Sequence, residues 1–248
     1  MTDELCINDL RLKSRFMLGS GKTSDYSPEL IKAAVEVAGV EMISVAIAKL
    51  ETEDSPAKYI PDRVHILPNT LGARDADSAV DMVHWAYDKG FGKIVKLEIM
   101  SDSKYFLPDP AETKKATSIL AAEGFTVIPY MYPEIVTARE LYKAGAAALM
   151  PLASPSGSNK GLQTKDFIQV LIKEIELPII VDAGIGMPSQ ACEAMEMGCA
   201  AVMAKTGLST AGDLKLMADS FKKAIEAGRT AYLSCHPKKL KDINIDIA

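Results

Sequence analysis

The chain has 248 residues and a formal net charge of −5 at pH 7, and 48% of its residues are hydrophobic. This length and composition predict a folded chain with a large core, built as one large α/β domain or two small ones. The acidic balance argues against a nucleic-acid surface, because such a surface needs clustered lysine and arginine. Residues 1–4 are acidic where a signal peptide is basic, and no apolar run reaches the roughly 18 residues that span a bilayer. We therefore expect a cytoplasmic protein that binds neither membrane nor nucleic acid.

Cysteine and histidine residues give no indication of a bound metal. The four cysteines lack a C-x-x-C spacing, and the three histidines lie far apart in the sequence. The Gly-Ser-Gly turn at 19–21 lacks the third glycine of the dinucleotide-binding fingerprint. The sequence therefore predicts no metal and no cofactor.

Apolar runs alternate with helical segments along the chain. Helix starts are indicated by Ser27-Pro28 and Asp109-Pro110, and helix ends by glycines such as Gly39 and Gly124. Residues 49–63 show no clear helical period and predict a long loop or a short irregular helix. The predicted strands are 15–21, 42–48, 65–70, 94–100, 126–131, 147–152, 178–182 and 200–204. The predicted helices are 27–39, 75–89, 109–124, one that ends at 145, 164–175, one that ends at 198, and 211–227.

Eight strands, nearly all followed by a helix, imply a parallel sheet. Eight such units in about 250 residues match a (β/α)8 TIM barrel, and a doubly wound open sheet is the alternative. The barrel is favoured because glycine-rich turns follow the last three predicted strands, whereas a dinucleotide-binding fold carries its fingerprint after the first strand. We therefore predict a single α/β barrel domain over residues 1–236 and a charged C-terminal tail over residues 237–248.

The fourth predicted strand carries Lys96 and Glu98 within an apolar run. Side chains alternate across a strand, so these two residues share one face while Val95, Leu97 and Ile99 share the other. Burying an unpaired charge costs several kcal/mol, so we expect the buried Lys96 and Glu98 to have a catalytic or structural role. A desolvated lysine has a lowered pKa and can attack a carbonyl to form a Schiff base, with Glu98 holding it or moving protons. A structural ion pair inside the barrel is the alternative, and this strand alone does not decide between them.

Further chemistry is predicted where the strand ends of a barrel converge on one mouth. Strand alternation aims Asp182, at the end of the seventh predicted strand, into that mouth. Taken alone, Asp182 is also well explained as a cap of the following turn, since aspartate caps readily. Three glycine-containing turns at 156–158, 183–186 and 205–207 expose backbone amides and hydroxyls, and together they indicate a phosphate site.

An ordered set of five motifs runs through the chain: IVKLE at 94–98, LPD at 107–109, EGFTV at 123–127, VDAGIG at 181–186 and EAGR at 226–229. Together they resemble the thiazole synthase of bacterial thiamine biosynthesis, and the likeness extends from about residue 10 to residue 233. No single motif is specific, whereas the ordered set is.

The resemblance implies a barrel enzyme, a thiazole synthase. Such an enzyme condenses 1-deoxy-D-xylulose 5-phosphate with dehydroglycine (2-iminoacetate) and with sulfur from the C-terminal thiocarboxylate of a small carrier protein. The family's Schiff-base lysine falls on Lys96, and its acid/base carboxylates fall on Glu98 and Asp182. We also expect a homo-oligomer, either a dimer or a tetramer. The phosphate-binding positions fall on Gly157, Ala183, Gly184 and Thr206, with Lys205 beside them.

The chain departs from the family pattern around the predicted mouth and at the C terminus. Lys205 stands where the family usually has asparagine, which adds a charge to the phosphate site. Ala48-Lys49 replaces an arginine pair, residues 131–134 replace a polar turn with aspartate, and the run after Leu233 is longer than expected. These departures leave two alternatives open. One is a paralogous Schiff-base enzyme, an aldolase-like lyase or a sulfur transferase, that acts on another keto sugar phosphate; the other is a non-catalytic homologue that binds a sugar phosphate, although the retained lysine and carboxylates argue against it.

Overall fold

The computed structural model of the chain describes residues 3–20, 26–100 and 107–234. The predicted tail at 237–248 lies outside the described residues, as does Gly21 of the first glycine turn. The described residues form ten strands and eight α-helices, with short 3-10 and π-helical turns between them.

Eight parallel strands within these ranges form a barrel, preceded by a small antiparallel hairpin. The strands are β1 (Leu5–Ile7) and β2 (Leu10–Leu12) of the hairpin, then β3 (Phe16–Leu18), β4 (Met42–Ala46), β5 (His65–Asn69), β6 (Ile94–Leu97), β7 (Thr126–Met131), β8 (Met150–Pro151), β9 (Ile180–Val181) and β10 (Ala201–Ala204). The parallel strands are paired in the order β8-β7-β6-β5-β4-β3-β10-β9. The barrel closes between β8 and β9, because Leu149 pairs with Ile179 and Leu152 pairs with Asp182. The predicted (β/α)8 barrel is therefore confirmed.

Helices follow the strands and cover the outside of the barrel. They are α1 (Pro28–Lys32), which continues as a π-helical turn (Ala33–Val37), α2 (Ala76–Asp88), α3 (Pro110–Ala122), α4 (Ile135–Lys143), α5 (Lys165–Glu174), α6 (Pro188–Glu196), α7 (Thr206–Ser209) and α8 (Leu214–Ser234). The predicted caps are confirmed, since Ser27 accepts a hydrogen bond from the Leu30 amide and Asp109 accepts from two amides of α3. Among the described residues, no helix has the length and apolar character needed to cross a membrane.

The bounds predicted for the last helix, 211–227, are wrong at both ends. Asp213 caps α8 by accepting hydrogen bonds from the amides of Lys215 and Leu216, so the helix begins three residues later than predicted. Gly228 does not end the helix, because it lies where α8 packs against α6. A Cβ at Gly228 would lie only 2.3 Å from the carbonyl oxygen of Cys192, so the glycine permits close helix packing.

The hairpin of β1 and β2 was not among the predicted elements, and it covers the base of the barrel. Leu5, Ile7 and Leu12 are buried in the same apolar cluster as the side chains inside the barrel. The turn places Asn8 at a positive φ of 49°, which asparagine tolerates better than most residues. The alternation of apolar and polar residues on both sides of this turn is the signal that could have predicted the hairpin.

The barrel interior is apolar at its base and polar at its mouth. The lower layers belong to an apolar cluster that includes Met17, Met42, Leu67, Ile128, Met150, Ile180 and Met203. Strand alternation puts Lys96 and Tyr130 on the same inward faces, nearer the C-terminal ends of β6 and β7. The fold therefore brings chemically active side chains together at the mouth, above a packed core.

Candidate active site

A single pocket at the C-terminal mouth contains all the residues predicted to act in catalysis or phosphate binding. It encloses about 530 Å³ of empty space, part of which is open to solvent. The predicted residues that line it are Lys96, Glu98, Gly157, Asp182, Ala183, Gly184, Lys205 and Thr206. Residues from β6 and from the loops after β8, β9 and β10 therefore meet as strand alternation and barrel closure require.

Lys96 lies between the two predicted carboxylates. Its Nζ donates a hydrogen bond to Oδ2 of Asp182 at 2.5 Å and lies 3.1 Å from Oε2 of Glu98. The Lys96 residue is only 4% exposed, and its ammonium also lies 5.1 Å from the ring centroid of Tyr130. This arrangement compensates the buried charge from three directions.

The expectation that burial leaves Lys96 with a lowered pKa is wrong for this arrangement of charges. Burial is the largest single effect and acts to lower the pKa of Lys96, but the charges of Asp182 and Glu98, together with their hydrogen bonds, raise that pKa above its ordinary value. Lys96 is therefore an ammonium at neutral pH. It must pass a proton to a neighbouring base before it can act as a nucleophile.

Asp182 makes a cap-like contact with one carboxylate oxygen and contacts Lys96 with the other. Its Oδ1 accepts a hydrogen bond from the Ala183 amide at 2.6 Å, which is the cap-like contact, while Oδ2 accepts from Lys96. Ala183 holds a positive φ of 58°, a left-handed conformation that costs a non-glycine residue about 1–3 kcal/mol. This turn fixes the carboxylate so that one oxygen faces Lys96.

Glu98 is held in place by neighbours on β5 and just beyond it. Asn69 donates from Nδ2 to Oε2 of Glu98 at 2.7 Å and also to Ser20 Oγ at 2.8 Å. The Thr70 hydroxyl donates to the Glu98 carbonyl oxygen and accepts from the Glu98 amide. Because these groups are buried, Glu98 has a fixed orientation beside Lys96.

The glycine loops pack closely enough to require glycine at Gly184. This residue has a φ of 77°, and a Cβ there would lie 1.7 Å from Oγ of the buried Ser154. The loop after β8 therefore packs directly against the loop after β9 and shapes one end of the pocket. The Ala183 amide is already bonded to Asp182, so it supports the carboxylate in this structure.

Lys205 reaches into the pocket wall and is 4% exposed. Its Nζ donates to the carbonyl oxygen of Ser20 at 3.0 Å and lies 4.4 Å from the ring centroid of Tyr26. The charge that distinguishes this chain from the family pattern therefore lies inside the mouth, where it also links the ends of β3 and β10.

The other departures from the family pattern have structural roles at the rim. Lys49 is half-buried and forms an ion pair with Asp54 at 3.3 Å. Glu134 caps α4, since its carboxylate accepts hydrogen bonds from the Val136 and Thr137 amides at 2.7 Å. Neither Lys49 nor Glu134 lines the pocket that holds Lys96.

Two residues of the site were missed by sequence reasoning. Asn69 lies at a polar strand tip, and that tip is the signal that could have identified it as a partner of Glu98. Tyr130 occupies a run of apolar residues, so its pattern predicts only a core side chain. The described residues contain no group of three or more His, Cys, Asp or Glu side chains arranged to hold a metal ion.

Fold and site define the class of this protein: a (β/α)8 barrel whose mouth holds a lysine between two carboxylates, beside glycine-containing loops. The family model for the thiazole biosynthesis protein ThiG matches residues 6–243. A thiazole synthase of Clostridium beijerinckii is 58% identical over 234 residues, which cover 94% of this chain and 90% of that protein. One of Fusobacterium nucleatum is 53% identical over 236 residues, covering 94% and 91% respectively. The chain belongs to the ThiG family, and the prediction that it is an enzyme of the thiazole synthase type is confirmed.

Solved structures agree with this assignment. The structure of the Amycolatopsis orientalis BexX/CysO complex contains a chain that is 30% identical, with a TM-score of 0.82; the match covers 94% of this chain and 96% of that one. The 3-hexulose-6-phosphate synthase of Salmonella typhimurium is 16% identical with a TM-score of 0.62, and covers 87% of this chain and 100% of its own. The second likeness concerns the barrel fold alone.

Proposed function

We propose that this enzyme condenses 1-deoxy-D-xylulose 5-phosphate with dehydroglycine and carrier-bound sulfur through a Schiff base on Lys96, to give the thiazole phosphate of thiamine. The observation that carries the proposal is the position of the Lys96 Nζ. It lies 2.5 Å from Asp182 Oδ2 and 3.1 Å from Glu98 Oε2, in the pocket at the mouth of the barrel. Membership of the family supports the same chemistry.

The first step is a proton transfer, because Lys96 is an ammonium when no substrate is bound. Asp182 takes this proton, and the neutral amine then attacks the ketone carbon, forming the C–N bond and breaking the C=O π bond. A proton moves from the attacking nitrogen to the oxygen to give the carbinolamine. Asp182 returns the proton to the carbinolamine, whose oxygen leaves as water and leaves an iminium. Glu98 lies on the other side of the nitrogen and serves as the base for the later proton transfers.

The phosphate of the substrate binds at the end of the pocket formed by the glycine loops. The backbone of Gly157, Gly184 and Thr206 lines this end of the pocket and can approach the phosphate closely. Lys205 supplies a buried positive charge nearby. The ketone carbon would then lie toward Lys96. The groups that anchor the phosphate are separate from Lys96, Glu98 and Asp182. Substrate binding and imine formation can therefore be tested independently.

A small carrier protein with a C-terminal thiocarboxylate is the proposed sulfur donor. The likeness to the chain in the BexX/CysO complex supports a partner of this kind. Thiazole formation should require the thiocarboxylate form of the carrier, because the sulfur atom must be incorporated into the product. Equal product from the ordinary carboxylate form would refute this part of the proposal.

Borohydride trapping tests the Schiff base. The enzyme is incubated with 1-deoxy-D-xylulose 5-phosphate and then reduced, and intact mass and peptide mapping are measured. We expect one adduct of the reduced sugar phosphate, located at Lys96. Absence of an adduct in the wild-type enzyme would overturn the proposal.

Two variants serve as matched controls, because the described part of the mouth contains two buried lysines, Lys96 and Lys205. Lys96→Arg keeps the positive charge between Asp182 and Glu98 but cannot form an imine, so its adduct should be lost. Lys205→Asn removes the other buried lysine and should still give an adduct at Lys96. An adduct that survives Lys96→Arg would assign the imine to another residue.

The charge at Lys205 favours one alternative, a related enzyme that uses the same imine chemistry on a different keto sugar phosphate. A panel of keto sugar phosphates in the trapping assay separates the two functions. Adducts with other members of the panel, but none with 1-deoxy-D-xylulose 5-phosphate, would favour the alternative. A cytoplasmic location and a homo-oligomeric state remain predictions, and sedimentation measurements test the second.

A further inference from the structure

The hydroxyl of Tyr130 is a buried polar group that the hydrogen-bond network of the pocket does not use. The residue is 1% exposed, yet its hydroxyl has no hydrogen-bond partner among the residues that the structure describes. A buried unpaired polar group typically costs about 1–3 kcal/mol, so its retention calls for an explanation. Tyr130 also lines the pocket that contains Lys96, Glu98 and Asp182.

The fold aims Tyr130 at the reaction centre. Lys96 is paired with Ile128 across β6 and β7, so Tyr130 lies two residues further toward the mouth on the same inward face. Its ring centroid is 5.1 Å from the Lys96 Nζ. The ring thus contacts the ammonium, and its side chain lines the same pocket as Lys96.

Tyr130 keeps its proton under all conditions in which the enzyme would act. Burial first, and then the negative charges of Asp182 and Glu98, raise the pKa of the phenol well above its usual value. The hydroxyl is therefore a neutral donor. A carboxylate cannot supply such a donor while it is ionised.

We propose that Tyr130 is a further catalytic residue, whose hydroxyl donates a hydrogen bond to the ketone oxygen of the bound sugar phosphate. This inference rests on the proposed function, since it concerns the carbonyl that Lys96 attacks. The bond polarises the carbonyl and stabilises the negative charge that builds on oxygen as the C–N bond forms. The proton that the oxygen finally receives comes from Asp182, so Tyr130 stays protonated throughout.

The test compares two variants that each remove one buried, unpartnered hydroxyl. Tyr130→Phe keeps the ring that contacts Lys96 and removes only the oxygen. Thr113→Val is the matched control, because the Thr113 hydroxyl is also buried without a partner among the described residues. Thr113 lines a second, small cavity with Tyr130 but does not line the pocket that contains Lys96. Both variants should melt at or above the wild-type temperature, because neither loses a hydrogen bond.

The rate of imine formation separates the variants. At saturating 1-deoxy-D-xylulose 5-phosphate, timed borohydride quenching should show Tyr130→Phe slowed by roughly 10²-fold, the effect typical of losing one such donor. Its KM should change little, since the phosphate is anchored elsewhere, and Thr113→Val should match wild type.

Three results would overturn the inference. They are imine formation in Tyr130→Phe within a few-fold of wild type, equal slowing in Thr113→Val, and a large loss of stability in Tyr130→Phe, which would mean that the hydroxyl has a structural partner. Failure of the wild-type enzyme to form any adduct refutes the proposed function instead, and this inference with it.

Discussion

The two ends of the barrel each carry a cluster of three charges, with opposite composition. At the mouth, one cation, Lys96, lies between two carboxylates, and the three side chains are 5–11% exposed. At the base, one carboxylate, Asp3, lies between two guanidinium groups, those of Arg15 and Arg229. Both clusters satisfy their charges, so charge compensation alone does not distinguish a catalytic site from a structural one.

The base cluster joins the two ends of the described chain. Oδ1 of Asp3 accepts hydrogen bonds from Arg15 at 2.9 Å and from Arg229 at 2.7 Å, and Oδ2 accepts a second bond from Arg229 at 2.8 Å. Arg15 also donates to the carbonyl oxygen of Ala200 at 2.7 Å. The cluster thus holds the N-terminal segment against α8 and against the start of β10.

The difference between the clusters lies in which group can lose a proton. Arginine remains charged at any accessible pH, so the base cluster cannot generate a nucleophile. Lysine can transfer a proton to a carboxylate at hydrogen-bond distance, so the mouth cluster can. A cavity adjoins the base cluster as well, and a neighbouring cavity is therefore a weaker criterion than a titratable amine.

The strongest test of the difference between the two clusters is to replace aspartate by asparagine in each of them. Asp182→Asn should leave the Lys96 adduct detectable after long incubation, although it forms more slowly, and should lower turnover by roughly 10²–10⁴-fold, because it removes a positioned acid/base while keeping the side chain's shape. The asparagine side-chain oxygen can still accept a hydrogen bond from the Ala183 amide, so the turn should keep its conformation. Steady-state rates and borohydride trapping measure the two effects.

Asp3→Asn is the matched control for this measurement, since it also neutralises a carboxylate bonded to cations. Its turnover should equal that of wild type. If the Asp182 variant folds normally and turns over within a few-fold of wild type, Asp182 is only a cap. If instead the Asp3 variant loses activity as strongly, the distinction between the two clusters fails.

Sequence reasoning identified the mouth because side chains alternate along a strand and because the C-terminal ends of barrel strands converge on one face. Lys96, Glu98 and Asp182 are placed on inward faces by their strand positions alone. The direction of the Lys96 pKa shift could not be predicted in the same way, because it depends on the distances to Asp182 and Glu98 after folding. Burial and pairing act in opposite senses, and only the geometry decides which is larger.

Other features needed contacts between distant parts of the chain. The hydroxyl of Tyr130 has no hydrogen-bond partner in the described part of the chain, and an apolar strand sequence gives no sign of this. The bond from Lys205 to Ser20 joins residues 185 positions apart. Lys205 was predicted as a phosphate ligand by its neighbours in sequence, and the structure adds that it also supports the end of β3.

A smaller effect is expected from Lys205→Asn, which removes the buried charge beside the glycine loops. The KM for the sugar phosphate should rise about tenfold, because hydrogen bonds to charged groups contribute roughly 1.5–3 kcal/mol, and kcat should change little. The KM of the wild-type enzyme should also depend more strongly on salt than that of the variant. An unchanged KM would limit Lys205 to its contacts with Ser20 and Tyr26.

The smallest expected effect is on stability at the base, and it has a defined pH dependence. The hydrogen bond from Arg229 is the main reason that the pKa of Asp3 falls from its ordinary 3.8 to about 2. A carboxylate with a lowered pKa in the folded state stabilises the fold above its unfolded pKa, and this stabilisation is lost as the pH falls through the folded pKa. The side chain of Asp3 is 39% exposed, so its contribution should stay below about 1 kcal/mol.

Asp3→Asn should therefore be slightly less stable than wild type at neutral pH, and the gap should close between about pH 4 and about pH 2. Urea unfolding of both proteins over this range measures the difference. A gap that stays constant on acidification would mean that Asp3 acts through its neutral hydrogen bonds, which asparagine keeps only in part. A gap that widens would contradict the ionic role of the base cluster, since protonation can only weaken the contacts of Asp3 with its two arginines.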